Sequence, residues 1–137
     1  MEPTINAIGA GVDIALSNKE SLVMAGDMIK KSLLKSSSKL FPVDSEHSAI
    51  WQCLAGEKKS ELNKIILTGS GGPFRKRRLS TFNQITLKEA LKHPNWQMGK
   101  KITIDSATMM NKTLEIIEAY WLFDLKIEQI EIVVHPQ

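Results

Sequence analysis

Short apolar runs alternate with helical patterns along the whole chain, and this alternation limits the fold to a few arrangements. Runs of strand length occupy residues 12–16, 40–43, 65–67, 101–105 and 129–134. Apolar residues recur at helical spacing between them, most clearly at 18–35, 45–56 and 108–123. We therefore predict an α/β fold, with α+β as the alternative, in which flanking helices cover a layered, mainly parallel sheet.

Composition narrows the class of protein. The 137 residues include one cysteine, Cys53, which excludes an internal disulfide and fits a reducing compartment. No apolar run approaches the roughly 18 residues that a membrane span needs. We expect a protein of the cytoplasm, or of a plastid-type organelle, with no membrane partner, and we place Cys53 and Trp51 on the buried face of a helix.

A basic run at residues 75–78 accounts for the net charge of +3. A basic run beside a glycine-rich loop is typical of a solvated surface, although attraction to an anionic substrate or partner stays open. Aromatic residues do not alternate with the basic ones, as they do in proteins that bind single strands. A nucleic-acid-binding module is therefore only a minor alternative, and we expect no nucleic acid partner.

Two carboxylates follow the second predicted strand directly, in the tripeptide Asp44-Ser45-Glu46. In extended chain, residues two apart point to the same side, so both carboxylates would offer oxygen ligands of the kind that Mg²⁺ and Mn²⁺ prefer. The competing interpretation is a helix N-terminus, with Asp44 or Ser45 as the cap and Glu46 in the first turn. Both interpretations stay open on the local pattern.

The predicted helix at 108–123 is mostly apolar, yet Asn111, Glu115 and Glu118 form one polar stripe along it. A mostly apolar helix is mostly buried, and buried carboxylates need a cation or a metal ion. The alternative is a solvent-facing stripe that contains a Lys112–Glu115 pair. The pattern thus predicts either carboxylates aimed into a cleft or an ordinary exposed face.

Two loops contain residues suited to ligand binding. The glycine-rich loop 69–72 follows a strand and would present N–H groups to an anion, unless it is a plain turn. It is neither a Walker A loop nor a dinucleotide-binding Gly-x-Gly-x-x-Gly loop. The loop 93–99 carries large apolar side chains between a proline and a glycine, which predicts a lid, unless its tryptophan only packs on the core.

Five motifs occur in a fixed order, and together they are far more specific than any one alone. They are Asn18-Lys19-Glu20-Ser21-Leu22-Val23, Pro42-Val43-Asp44-Ser45-Glu46-His47, the segment 67–75, the segment 93–99, and the segment 105–112. This set closely resembles the 1-deoxy-D-xylulose 5-phosphate reductoisomerases, and the resemblance covers essentially the whole chain.

The resemblance implies an enzyme that rearranges 1-deoxy-D-xylulose 5-phosphate and reduces the product with NADPH to 2-C-methyl-D-erythritol 4-phosphate, in the non-mevalonate isoprenoid pathway. It implies a divalent cation, Mg²⁺, Mn²⁺ or Co²⁺, with Asp44, Glu46 and Glu115 as its ligands. It also implies that this cation chelates the substrate oxygens and acts as a Lewis acid.

The resemblance implies further site residues. The substrate phosphate would be bound by Ser70, Ser106, Asn111 and Lys112. Ser45 would contact the carbonyl or hydroxyl end of the substrate beside the metal, and Glu118 would lie nearby. Lys19 would lie between a substrate hydroxyl and the nicotinamide. The lid would contain His93, Trp96 and Met98. The cofactor-binding residues would be Asn18, Lys19, Glu20, Met98 and Gly99.

The family pattern also predicts the organisation of the chain. Residues 1–38 would be the last helix, strand and helix of a Rossmann-like NADPH domain, and residues 39–137 an incomplete catalytic domain. We expect an excerpt of a longer homodimeric enzyme, and we expect the excerpt alone to be inactive because it has no dinucleotide phosphate loop. The alternative is a fragment that binds a phosphosugar or a metal without turnover.

Overall fold

The computed structural model describes residues 1–93 and 97–135, and it confirms the predicted mixture of helices and strands. The helices are α1 (Glu2–Gly9), α2 (Glu20–Leu33), α3 (Ser45–Cys53), α4 (Leu87–Ala90), α5 (Lys100–Ala107) and α6 (Met110–Phe123). The strands are β1 (Ile14–Leu16), β2 (Leu40–Pro42), β3 (Ile65–Gly69) and β4 (Ile130–Val134). Short 3-10 turns occupy Lys59–Glu61, Leu79–Gln84 and Ile127–Gln129.

The described strands form two small sheets instead of one layered sheet. Strands β1 and β2 are parallel, with Ile14 opposite Leu40 and Leu16 opposite Pro42. Pro42 is tolerated because it ends its strand, where no further ladder hydrogen bond is required of it. Strands β3 and β4 form the second two-stranded sheet.

The predicted strand at 101–105 is wrong, because this segment is the helix α5. Ile102 and Ile104 alternate as in a strand, but the buried residues of the segment are Thr103 and Ala107, which are four apart. The Thr103 hydroxyl donates to the Gly99 carbonyl at 2.8 Å and closes the first turn. Helical burial of small residues thus overrides the alternation of the isoleucines.

The chain packs into two compact units. The first unit combines residues 1–67 with residues 114–131, and the second combines 68–113 with 132–137. The core of the first unit has two buried clusters, and that of the second has one. The first cluster contains Ile8, Leu16, Leu22 and Ile29; the second contains Ile65, Ala119 and Leu125; the third contains Phe74, Ala90 and Ala107. A domain boundary after residue 38 stays a prediction.

Helix α2 bends where it passes α6 within the first unit. Ala25 has non-helical backbone angles, with φ of −144° and ψ of 29°. Gly26 follows it and lies against the indole of Trp121, so closely that a Cβ atom there would lie 2.3 Å from the ring. Only glycine allows this approach of the two helices.

Helix α3 buries fewer side chains than its sequence predicts. Trp51 is 45% exposed, and its ring meets Phe41 edge to face at a centroid distance of 5.8 Å. Cys53 is also exposed, so the prediction that these two residues lie in the core is wrong. The fully buried side chain of this helix is His47, which is polar and therefore gave no apolar signal.

No helix among residues 1–93 and 97–135 has both the length and the apolar character that crossing a membrane requires.

Candidate functional site

A group of acidic side chains lies inside the first unit, and we call Asp44, Glu115 and Glu118 the buried carboxylate cluster. Glu115 is 1% exposed and Glu118 is 0% exposed, whereas Met110 on the same helix is 48% exposed. The polar stripe of α6 therefore faces the interior, and the solvent-facing alternative is wrong. Carboxylates so deeply buried require a compensating cation.

Asp44 combines both roles that its sequence position suggested. It is the N-cap residue of α3, and its Oδ1 accepts a hydrogen bond from the Ser45 N–H at 3.0 Å. Its other oxygen, Oδ2, contacts the Lys19 ammonium in an ion pair. Capping thus uses one oxygen of the carboxylate and leaves the second for the cluster.

Lys19 brings an ammonium group to this cluster. Its side chain is buried at the start of α2, and its Nζ lies 3.7 Å from Glu115 Oε1 in addition to the Asp44 contact. Burial by itself lowers the pKa of Lys19, but Asp44, Glu115 and Glu118 together raise it above its usual value. The lysine therefore stays charged and offsets part of the negative charge.

Glu118 is the least compensated member of the cluster. Neither of its carboxylate oxygens has a hydrogen-bond partner among the described residues. Burial, followed by the nearby Asp44 charge, raises the pKa of Glu118 to about 8, although Lys19 acts in the opposite direction. A carboxyl group in this environment is ready to bind a cation or to hold a proton.

His47 belongs to this site, and the sequence analysis missed it. Its Nε2 lies 2.9 Å from the Glu115 carbonyl oxygen, and its Nδ1 lies 3.4 Å from Glu118 Oε2 and 3.7 Å from Asp44 Oδ2. The ring stacks on Phe123 with an interplanar angle of 5°. Burial lowers the pKa of His47. The spacing Asp44-x-x-His47 across one helical turn was the available signal.

The donor set fits a divalent cation. One ligand atom each from Asp44, His47 and Glu118 lie within 4.8 Å of one another. Both buried oxygens of Glu118 have no hydrogen-bond partner in the part of the chain that the structure describes, whereas Asp44 Oδ2 forms the ion pair with Lys19. Glu46 is half-buried in the first turn of α3, and Ser45 is exposed. The ligand set Asp44, Glu46 and Glu115 stays a prediction.

The second unit brings together several of the predicted phosphate-binding residues. Lys112 is buried, and its Nζ donates to the Thr68 carbonyl at 2.6 Å. The Ser70 hydroxyl lies 3.3 Å from His93 Nε2 and accepts from the Gly72 N–H at 3.3 Å. Hydroxyl, imidazole and ammonium groups thus gather at the glycine-rich loop.

Two glycines give this loop its shape. Gly71 and Gly72 have positive φ angles of 79° and 65°. A Cβ atom at Gly72 would lie 2.6 Å from the Ser106 carbonyl oxygen, so the loop passes directly over the end of α5. A residue with a side chain at either position would have a strained backbone, so the two glycines are needed for this loop conformation.

The remaining predicted residues have varied positions. Ser106 and Asn111 are half-buried, and Glu20 is half-buried near the start of α2. Asn18, Met98 and Gly99 are exposed. Trp96 lies outside the described residues, so the lid hypothesis stays a prediction.

Arg77, in the basic run, pairs with Glu89 at 2.7 Å and packs over Phe74 at 5.6 Å, which gives this arginine a structural role.

Buried carboxylates around a cation, in a mixed α/β fold, are typical of metal-dependent enzymes. The comparisons with known proteins supply the family. A family model described as the 1-deoxy-D-xylulose 5-phosphate reductoisomerase C-terminal domain matches residues 40–123. A second model, described as 1-deoxy-D-xylulose 5-phosphate reductoisomerase, matches residues 1–26. The chain belongs to the 1-deoxy-D-xylulose 5-phosphate reductoisomerase family.

Similar proteins bear the same description. The chain is 60% identical over 135 residues to the reductoisomerase of Pelotomaculum thermopropionicum, covering 98% of this chain and 35% of that relative. It is 58% identical over 135 residues to that of Clostridium acetobutylicum, with the same coverage. The chain thus spans about a third of the length of these curated relatives, at 35%.

Solved structures agree with the sequence relatives. A crystal structure of DOX-P reductoisomerase in complex with NADPH, fosmidomycin and magnesium matches with a TM-score of 0.89 and 49% identity, covering 97% of this chain and 35% of that one. The Zymomonas mobilis enzyme in complex with NADPH matches with a TM-score of 0.87 and 47% identity, covering 97% and 34%.

Proposed function

We propose that this chain supplies metal- and substrate-binding residues of a 1-deoxy-D-xylulose 5-phosphate reductoisomerase, which forms 2-C-methyl-D-erythritol 4-phosphate with NADPH. The observation that carries the proposal is the buried carboxylate cluster in a chain of this family. Glu115 and Glu118 are almost fully buried beside Asp44 and the Lys19 ammonium, and a divalent cation would stabilise the ionised form of these acidic groups.

For the metal, we propose Mg²⁺, with Mn²⁺ and Co²⁺ as substitutes, held by Asp44, Glu46 and Glu115. All three are carboxylates, which suit hard cations. When bound, the cation would act as a Lewis acid toward the ketone and hydroxyl oxygens of the substrate. Magnesium in a 49% identical reductoisomerase structure supports this choice of metal.

The chain's own residues have complementary tasks in the proposal. Lys19 keeps its positive charge because of Asp44 and Glu115, so it can hold a substrate hydroxyl and stabilise negative charge that develops on it. Glu118 would act beside the substrate as a group that holds or releases a proton, because burial keeps it protonated to about pH 8.

Phosphate recognition is assigned to the glycine-rich loop of the second unit and its neighbours. Lys112 would provide the ammonium, and Ser70, Ser106 and Asn111 would provide neutral donors. Lys112 Nζ already binds a backbone carbonyl at 2.6 Å, which holds the ammonium at the loop at low entropic cost. His93, Trp96 and Met98 would close over the substrate and exclude water.

We also propose that the enzyme binds NADPH beside these residues and forms a homodimer. The nicotinamide would lie near Asn18, Lys19 and Glu20 and near the loop residues Met98 and Gly99. NADPH bound in two similar reductoisomerase structures supports the cofactor. A homodimer in the cytoplasm or a plastid-type organelle stays a proposal that rests on the family pattern.

A chimeric enzyme tests the proposed activity. This chain would replace the matching 135 residues of the 60% identical Pelotomaculum thermopropionicum relative. We expect the chimera to oxidise NADPH only when 1-deoxy-D-xylulose 5-phosphate and Mg²⁺ or Mn²⁺ are present. We expect Glu115→Gln to lower kcat strongly and to leave NADPH affinity within about twofold. The matched control is Glu128→Gln, a change at an exposed glutamate of the same unit.

A folded chimera without turnover would contradict the assignment, and so would full activity in the Glu115→Gln variant. If the Glu115→Gln variant of the chimera loses NADPH affinity together with kcat, Glu115 lies at the cofactor instead of the metal.

A further inference from the structure

His47 has one ring nitrogen whose role is fixed and one whose role is open. A carbonyl oxygen only accepts hydrogen bonds, so Nε2, at 2.9 Å from the Glu115 carbonyl, must be the nitrogen that carries the proton. In the neutral ring, Nδ1 is then an unprotonated acceptor. It is fully enclosed and has no hydrogen-bond partner among the described residues.

The surroundings of Nδ1 are unfavourable for a bare lone pair. Glu118 Oε2 lies 3.4 Å away and Asp44 Oδ2 lies 3.7 Å away, so the lone pair of Nδ1 faces oxygen atoms of two buried or half-buried carboxyl groups. Removing such groups from water is costly unless a positive charge lies between them. Lys19 forms an ion pair with Asp44 and lies 3.7 Å from Glu115 Oε1, so its ammonium offsets only part of the negative charge of these acidic groups.

The His47 imidazole makes the second hydrogen bond that metal-binding histidines usually make. Such histidines almost always donate their second ring N–H to a carbonyl or carboxylate, which fixes the tautomer and orients the ring. Here the Glu115 carbonyl accepts that N–H, and the stacked Phe123 ring, at a centroid distance of 6.4 Å, restrains the plane of the imidazole. The side chain is 0% exposed, so the orientation is built into the fold.

We propose that Asp44 Oδ2, His47 Nδ1 and Glu118 form a nitrogen-containing cation site that selects a borderline transition metal such as Zn²⁺ over Mg²⁺. The three ligand atoms lie within 4.8 Å of one another. Imidazole nitrogen suits Zn²⁺, whereas Mg²⁺ prefers oxygen ligands throughout. This site shares Asp44 with the proposed magnesium ligands but uses neither Glu46 nor Glu115 as a ligand.

Sharing Asp44 has a consequence for metal selectivity. A Zn²⁺ ion bound through Nδ1 would occupy the Asp44 oxygen that the all-oxygen site also needs. The two ions would then compete for one chain, and Zn²⁺ would displace Mg²⁺ instead of adding to it. The second site therefore acts as a competitor for the metal of the proposed reaction.

The decisive measurement is nitrogen NMR on the metal-free chain with ¹⁵N-labelled histidine and without a histidine tag. Before metal is added, we expect Nδ1 of His47 to resonate as an unprotonated ring nitrogen and Nε2 to keep its proton. One equivalent of Zn²⁺ should move the Nδ1 resonance to the region of metal-bound nitrogen and leave Nε2 protonated. The double variant His93→Gln, His135→Gln assigns the signal, because it leaves His47 as the only histidine.

Affinities of matched variants separate this site from the proposed magnesium site. We expect His47→Gln to weaken Zn²⁺ binding by about tenfold or more and to weaken Mg²⁺ binding much less, because Nδ1 is a ligand of the zinc site alone. Glu46→Gln should do the reverse, weakening Mg²⁺ and sparing Zn²⁺. If His47→Gln does not fold, the NMR experiment on the unchanged histidine still decides.

An Nδ1 resonance that does not move at saturating Zn²⁺ would overturn the inference, as would a proton on Nδ1 before metal is added. If Glu46→Gln and Glu115→Gln weaken Mg²⁺ while Nδ1 stays unchanged, the proposed function stands and this site does not exist. If Nδ1 moves and neither variant affects Mg²⁺, the zinc site stands and the proposed magnesium ligands are wrong.

Discussion

Replacing Glu118 by glutamine should stabilise the metal-free chain, although it removes a residue of the proposed site. The unfolded chain ionises this side chain near its usual pKa of 4.5, and the folded chain does so near about 8. A group whose pKa is raised by folding contributes stability below the lower value and loses it as the pH rises toward the higher one. Glutamine is nearly equal in size and does not ionise, so the Glu118→Gln chain does not lose stability in this way.

The expected magnitude follows from the two pKa values. Each pH unit between them costs about 1.4 kcal/mol, so at pH 7 the wild-type chain loses about 3 kcal/mol of unfolding free energy to Glu118. At pH 5 the loss is below about 1 kcal/mol, because the carboxyl group is then largely protonated in the folded chain and only partly ionised in the unfolded one. Between pH 5 and pH 7, the stability of the wild type should fall by about 2 to 3 kcal/mol relative to Glu118→Gln.

Urea unfolding in the presence of a chelator, followed by tryptophan fluorescence at pH 5, 6 and 7, measures this difference. Glu128→Gln is the matched control, since Glu128 is exposed and its replacement should leave the pH dependence of stability unchanged. Parallel pH profiles for the wild type and Glu118→Gln would refute the reasoning, because they would mean that Glu118 ionises in the folded chain as easily as in the unfolded one.

Three further changes test other parts of the structure. Gly26→Ala should lower the unfolding free energy in urea by about 1 to 3 kcal/mol, because its Cβ would overlap the indole of α6, whereas Gly9→Ala meets open space and should change it little. Asp44→Asn should keep the helix cap but weaken Mn²⁺ binding about tenfold or more in calorimetric titrations. Lys112→Met should weaken binding of a phosphonate substrate analogue about tenfold or more in the chimera, since it removes the ammonium held by Thr68, with Mg²⁺ affinity as the unchanged control.

Most of the fold followed from the sequence because its helices and strands obey simple periodicities. The helix α6 and the parallel pair β1 and β2 were predicted for this reason. The segment 101–105 was not, because alternation of isoleucines in a short stretch fits a strand as well as a helix. Its burial by Thr103 and Ala107 depends on packing partners that are distant in sequence.

The site was predicted in part, for a related physical reason. Buried carboxylates on α6 could be inferred, since acidic residues on a mostly apolar helix demand a partner. His47 could not be found by looking for spacing between histidines, because its neighbours are Asp44 and the α6 residues Glu115 and Glu118. Its role depends on which ring nitrogen meets a backbone carbonyl, and such a contact leaves no sequence pattern.

The central claim is that the buried carboxylate cluster holds a divalent cation, and calorimetric titration of the chain with Mn²⁺ tests it most directly. We predict saturation at one ion per chain, and loss of that binding in the Glu115→Gln variant but not in Glu128→Gln. Absence of saturable binding to the folded chain, or equal affinity in the wild type and Glu115→Gln, would contradict it.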